Sequence, residues 1–209
     1  MRHFICSVFG LLALSACTEQ ADKTPTSPSE ETEEADSEML EEQDLGPVFA
    51  ELSDDGASVA YVEAARYLGV WYEISSVPMN TQAACTGTTA EYGLIDEETI
   101  SVHNRCWIGS LDGQLSQITG KASILDDSNA RLAVDFGFGF AAPYFIVERD
   151  DQPGEKAYEF AAVYSVGSLW VLSRTPTMEE DLYNEILNRL EERDYPIENL
   201  VMTVQPDSL

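Results

Sequence analysis

Few side chains in this sequence could carry reactive chemistry. Its thiols and imidazoles are Cys6, Cys17, Cys85, Cys106, His3 and His103. No CxxC pair, HExxH run or glycine-rich phosphate loop occurs, so neither a metal, a nucleotide nor another cofactor is expected. No serine–histidine–acid set is evident, and His103 alternates outward if Val102 faces in. Cys85 and Cys106 bracket the stretch "CTGTTAEYGLIDEETISVHNRC", which holds one turn signal near Asp96 to Glu98. A chain reversal there brings the two thiols to the open ends of adjacent antiparallel strands. In an exported, oxidising setting such an even pair is expected to form a disulfide. Closing a loop of about 20 residues contributes about 3 kcal/mol.

Export is read from the first residues, "MRHFICSVFGLLALSAC", with basic Arg2, an apolar run from Phe4 to Leu14 and then small residues. This is a signal too short to span a bilayer. Its end, "LSAC", resembles the lipobox of bacterial lipoproteins. The resemblance implies cleavage after residue 16 and lipid attachment, palmitate among the acyl chains, at Cys17. Thr18 stands where an aspartate would signal inner-membrane retention, which implies outer-membrane sorting with the domain facing the periplasm. Acyl chains anchor by burying methylenes, at about 0.8 kcal/mol each. Residues 18–56 hold fourteen acids and one lysine with almost nothing to bury. Residues 17–56 are therefore expected to form a lipidated, self-repelling tether spanning roughly 35 Å, ahead of a domain at 57–209. With 38 acidic and 11 basic residues the chain carries a net charge of −27. That argues against nucleic acid and against an electrostatic grip on anionic headgroups.

From Tyr67 onward, short runs rich in Val, Ile, Thr and aromatics alternate with turn signals. Eight strands are predicted: 69–77, 86–95, 99–107, 115–125, 131–138, 144–149, 157–165 and 168–174. Hairpin-sized turns without intervening helices predict an all-β, up-and-down antiparallel sheet that closes into a barrel. A barrel of eight strands either encloses one small ligand or fills with side chains. After the last strand, Thr177 and Glu180 read as a capping box. Met178, Leu182, Ile186 and Leu190 form one apolar stripe, so a helix should lie outside the barrel.

The stretches "RYLGVWYEIS" (66–75), "TAEY" (89–92), "YFIVERD" (144–150) and "LWVLSRTP" (169–176) are together similar to the lipocalin family. They fall closest to its bacterial and apolipoprotein D branch, over roughly residues 58–205. The resemblance implies that Trp71 plugs the closed end of the barrel beneath Arg174, a cation–π pair worth about 2 kcal/mol. It implies that Gly69 lets the entering chain pass where a side chain would collide. Tyr61, Val62 and Tyr67 would belong to the segment covering this floor.

These anchors set the parity of every strand, since successive residues alternate faces. Glu73, Ser75, Trp170 and Leu172 should point inward, with Ile118 and Gly120. The ligand-facing set carried over from the family is Thr88, Ala90, Tyr92, Val102, Asn104, Val134, Phe136, Tyr144, Ile146, Ala162 and Tyr164. Its mixture of small residues, aromatics and a few polar tips favours a cavity over a packed interior. The resemblance implies a fatty acid or lysophospholipid, tail buried and head near the mouth, carried without catalysis by a monomer or weak dimer. Two alternatives stand beside it. One is a lipid isomerase of the kind that uses a free cysteine, for which Cys85 is the candidate. The other is a filled barrel acting through its surface. The glycine–phenylalanine run at 137–143 is either an apolar lip or a tight turn packed on the barrel end.

Overall fold

All eight runs become strands of one antiparallel sheet, in a computed structural model that describes residues 58–206 apart from Thr81 and Glu155. The strands are β1 (Gly69–Ser76), β2 (Cys85–Leu94), β3 (Thr99–Ile108), β4 (Gln114–Ile124), β5 (Arg131–Asp135), β6 (Ala141–Arg149), β7 (Phe160–Ser165) and β8 (Ser168–Ser173). Each pairs with the next, and β1 pairs with both β8 and β2, so the sheet closes into a barrel. The expected signal, Cys17 and the acidic tether lie outside the described residues.

Closure is uneven along β1. Its first half pairs with β2, Gly69 opposite Tyr92 and Tyr72 opposite Thr89. Its second half pairs instead with a short ninth strand, β9 (Val201–Met202), Ser75 opposite Met202. Beyond β9 the chain continues along β2, where the Gly87 amide donates to the Val204 carbonyl at 2.6 Å. The C-terminal segment thus fills the gap where β1 and β2 part, a partner that the sequence did not announce.

The floor is built on Arg174. Its guanidinium carbon lies 3.7 Å from the ring centroid of Trp71, which is fully buried. Its Nε donates to the Tyr158 carbonyl at 2.9 Å and its Nη1 to Val70 at 2.8 Å; Nη2 donates to Arg66 at 2.9 Å and Tyr67 at 3.1 Å. Arg66 and Tyr67 end a single helical turn, α1 (Ala64–Tyr67), whose last carbonyls have no partner within the turn. The Trp71 indole donates to the Tyr67 carbonyl at 2.8 Å, so one aromatic ring and one guanidinium close the end between them. Gly69 has φ +96°, which only glycine adopts without strain, while a Cβ there would meet Arg174 Nη1 at an ordinary 3.5 Å. Backbone conformation, not the expected collision, requires the glycine.

The helix α2 (Glu180–Glu191) covers the outer faces of β1, β6, β7 and β8. Ile186 and Leu190 are fully buried against Ile74, Phe145, Val147, Phe160, Leu169 and Val171. Arg189 and Arg193 reach Glu148 on β6 at 3.4 and 2.8 Å. The expected capping box does not form: the helix starts at Glu180, and Thr177 gives its carbonyl to the Thr175 hydroxyl. Ser75, expected inside, faces the helix and accepts a 2.8 Å hydrogen bond from the Tyr183 hydroxyl. A bulge between Glu73 and Ser75 in the β1–β8 pairing turns it outward.

Removing the guanidinium takes a donor from four carbonyls, two of which keep another (Arg66 from the Tyr158 amide, Tyr67 from the Trp71 indole), and bares the face of Trp71. Arg174→Ala should therefore lower stability by about 3 kcal/mol, or roughly 6–12 °C in Tm for a domain of this size. Arg174→Lys keeps the charge but loses the planar fork, and should recover less than half of this loss. Thermal unfolding checks both; a Tm equal to the parent's in Arg174→Ala would overturn this account of the floor.

Candidate functional site

Above the floor the barrel encloses a cavity of about 130 Å³ that opens toward the mouth loops. Its apolar wall comes from β5 to β8: Val134, Phe136, Pro143, Val163, Trp170 and Leu172. On the neighbouring β4, a Cβ on Gly120 would lie 2.5 Å from the Asp135 carbonyl and 2.7 Å from the Phe136 ring, so that position has room only for glycine beside the lining phenylalanine. Met79 reaches the mouth from the β1–β2 loop and is half exposed. Across the opening, the 137–140 turn holds Phe138 and Phe140 about two-thirds exposed, with Gly137 and Gly139 at φ +83° and +84°. The turn is a projecting apolar lip and does not pack on the barrel end.

Three tyrosines form the base. The Tyr144 hydroxyl lies 2.7 Å from that of Tyr67 and 2.7 Å from that of Tyr92, and the rings of Tyr67 and Tyr92 are 5.3 Å apart. Burial pushes the Tyr92 phenol up to about 12 and raises Tyr67 and Tyr144 well above their usual value. All three are therefore neutral at physiological pH. Beneath them lies a second space of about 10 Å³, with Ile100, Ala122, Leu132 and Ile146 in its lining. Tyr92 and Tyr144 border both spaces, so the hydroxyl chain is a partition that sets the depth of the upper one.

The side formed by β1, β2 and β3 is polar. Glu73, in the half of β1 nearer the mouth, is buried and lines the cavity. Its Oε1 accepts from the Ser76 hydroxyl at 3.0 Å and the Thr203 hydroxyl at 2.6 Å. Gln205 Nε2 donates to the carbonyls of Glu73 and Thr88, each at 2.8 Å, which ties the C-terminal segment into this wall. Burial raises the Glu73 carboxyl above its ordinary value of 4.5, and the two hydroxyls pull less strongly the other way.

Of the eleven residues expected to face a ligand, Thr88, Ala90, Tyr92, Val102, Asn104, Val134, Phe136 and Tyr144 line the cavity. Ile146 points inward but lies below the tyrosines. Ala162 and Tyr164 face the opposite way. Both pack in the cluster under α2, Tyr164 against Tyr195 at 5.4 Å, and Ala161 and Val163 take the interior. The two-residue turn at Val166–Gly167 decides this, since it sets Val163 opposite Trp170 and Ala161 opposite Leu172. With Trp170 inside, that turn length alone could have corrected the parity. Cys85 and Cys106 are bonded, Cα to Cα 5.4 Å, at the mouth ends of β2 and β3. The free thiol of an isomerase is thus missing from that position. His103 is half-buried on the outward face of β3, opposite Glu91 and Thr119.

The family profile described as a lipocalin-like domain matches residues 62–205. The outer membrane lipoprotein Blc of Vibrio cholerae is 30% identical over 148 residues, covering 70% of this chain and 85% of that protein. Temperature-induced lipocalin-1 of Arabidopsis thaliana is 33% identical over 153 residues, covering 68% and 79%. Among solved structures, lobster apocrustacyanin A1 superposes with a TM-score of 0.56 at 20% identity, over 78% of this chain and 87% of that one.

Two measurements probe this site without a ligand. Tyr144→Phe strips both neighbouring hydroxyls of their partner and should cost about 2 kcal/mol in urea unfolding. Tyr92→Phe removes one bond and should cost about half that. A smaller loss in Tyr144→Phe than in Tyr92→Phe would contradict the hydroxyl chain. For Glu73 the sign follows from its raised pKa. Below 4.5 the carboxyl is protonated, folded or not, and burial carries no ionisation penalty. As pH rises past 4.5 the unfolded chain ionises first, so folding stability falls until the folded-state pKa is passed. Glu73→Gln cannot ionise, and its Tm advantage over the parent should therefore grow between pH 4 and pH 7. An advantage that stays flat across that range would show that Glu73 is not held against ionisation.

Proposed function

The chain belongs to the lipocalin family, and from that premise we propose that it is a non-catalytic carrier of a single-chain lipid, a fatty acid or lysophospholipid, anchored by lipid on Cys17 to the outer membrane. Membership itself implies binding of a small hydrophobic ligand within the barrel. The observation that carries the finer reading is the cavity, with an apolar wall on one side, a polar wall on the other and a mouth edged by Met79 and Phe138. Its 130 Å³ is close to the roughly 150 Å³ of a cavity that admits benzene. The enclosed part thus suits a ring or a short alkyl segment, and a longer chain continues to the mouth along the apolar lip. Orientation follows from the walls: tail toward Val134 and the tyrosine base, head toward the polar side of the mouth. The Blc relative is named an outer membrane lipoprotein, which supports the anchor read from "LSAC". A domain facing the periplasm, monomeric or weakly dimeric, fits exchange of lipid with that membrane on a tether of about 40 residues.

Trp170 lines the cavity, whereas Trp71 lies beneath Arg174 in the floor. Titrating the full chain with single-chain lipids of graded length should change Trp170 fluorescence saturably at micromolar concentration. The same titration of Trp170→Phe should show little change. No saturable binding at any chain length, in protein shown to be folded, would sink the carrier reading and favour a barrel that acts through its surface.

A further inference from the structure

Among the described residues, the cavity lining contains one charged side chain, and it is an acid. Glu73 lines it, and no lysine, arginine or histidine among the described residues does. Arg174 is committed to four carbonyls in the floor and is absent from this lining. The other polar atoms of the lining carry no charge. Thr88 Oγ1, Asn104 Oδ1 and Gln82 Oε1 belong to lining residues, are buried and have no hydrogen-bond partner among the described residues. An amide can present either its oxygen or its nitrogen, so Asn104 and Gln82 do not decide the preference. The carboxylate does, because when ionised it only accepts. Both hydrogen bonds that the Glu73 carboxylate receives end on Oε1, and Oε2 has no partner among the described residues.

An anionic head placed here would meet Glu73 with no cation to offset it, a repulsion strengthened by the low dielectric of a closed site. A head that donates hydrogen bonds meets the opposite situation. We propose that the polar wall around Glu73 is a head-group subsite for a primary amine, so that the barrel selects an amine-headed single-chain lipid over one ending in a carboxylate. The ammonium would sit on Glu73 with Thr88 beside it, its chain running against Val134, Phe136 and Val163 toward the tyrosine base. Burial opposes ionisation of Glu73, and a cation lying next to it relieves that opposition, so head and carboxylate favour each other. Thr203, donated by the C-terminal segment, holds the carboxylate in place from behind. This inference rests on the single-chain carrier reading and narrows it, away from a free fatty acid and toward a lipid whose head carries an amine.

The test is a matched series on the full chain: decylamine, decanol and decanoate, each below its micelle concentration, followed by Trp170 fluorescence at pH 7. Trp170→Phe is the control for binding to the acidic surface. Decylamine should bind about tenfold tighter than decanoate, with decanol between them. In Glu73→Gln the amine should weaken about tenfold, whereas decanol should hardly change. Decanoate binding as tightly as decylamine to the parent protein would overturn the proposal, as would an amine preference that survives Glu73→Gln. Binding without head discrimination removes this inference alone. Failure of all three chains to bind removes it together with the carrier reading.

Discussion

The closed end of this barrel depends on one guanidinium. Eight twisted strands leave an opening at each end, and an open floor would expose Trp71 and the last carbonyls of α1 to water. Arg174 answers both demands, with its plane on the indole and its N–H groups on four carbonyls from three segments of the chain. Burial pulls its pKa down from the ordinary value, opposed by Tyr67 and then Asp150, yet a guanidinium stays charged. A second arginine repeats the device nearby. Arg66 lies 4.1 Å from the Tyr158 ring centroid, donates to the carbonyls of Lys156 and Gln152, and approaches Asp150 at 3.8 Å. Fixing the floor in this way also fixes which residues of β1 and β8 look inward.

The mouth is organised by a different constraint. Where β1 leaves β2, both strands would expose edge amides and carbonyls inside the wall of a ligand cavity. The C-terminal segment takes that place, with β9 on β1 and Val204 and Gln205 on β2. It brings Thr203 to Glu73, and so a polar wall arises opposite the apolar one. The disulfide pins the neighbouring strand ends from the other side of β2. Rigid floor, partitioned base and asymmetric walls are thus separate consequences of how each strand end finds partners.

Some of this was legible in the sequence for physical reasons. Strand–turn alternation exposed all eight strands because antiparallel hairpins need glycine, aspartate or asparagine at their turns. The disulfide was readable because Cys85 and Cys106 bracket a single reversal. On β2, β3 and β5 the ligand-facing residues could be placed by alternation, since one face of each meets the cavity and the other is more polar. On β7 this failed. "FAAVYS" is apolar throughout because α2 covers its outer face, and a strand buried on both faces carries no alternation to read. Ala162 and Tyr164 were therefore assigned to the wrong side. Ser75 failed for a second reason, a bulge that changes parity without changing residue type.

By itself the sequence determined the strands, their order and the helix stripe, while the pairing of arginine with tryptophan came from the family resemblance of its motifs. The former follow from local periodicity and from residue types suited to one environment. Tertiary structure alone decided the faces of the doubly buried strands, the tyrosine partition and the C-terminal strand that closes the gap beside β1. It also decided that Glu73 stands in the cavity with no facing cation among the described residues. Each of these depends on which distant segment lies alongside, Thr203 being 130 residues from Glu73, and no local pattern encodes that.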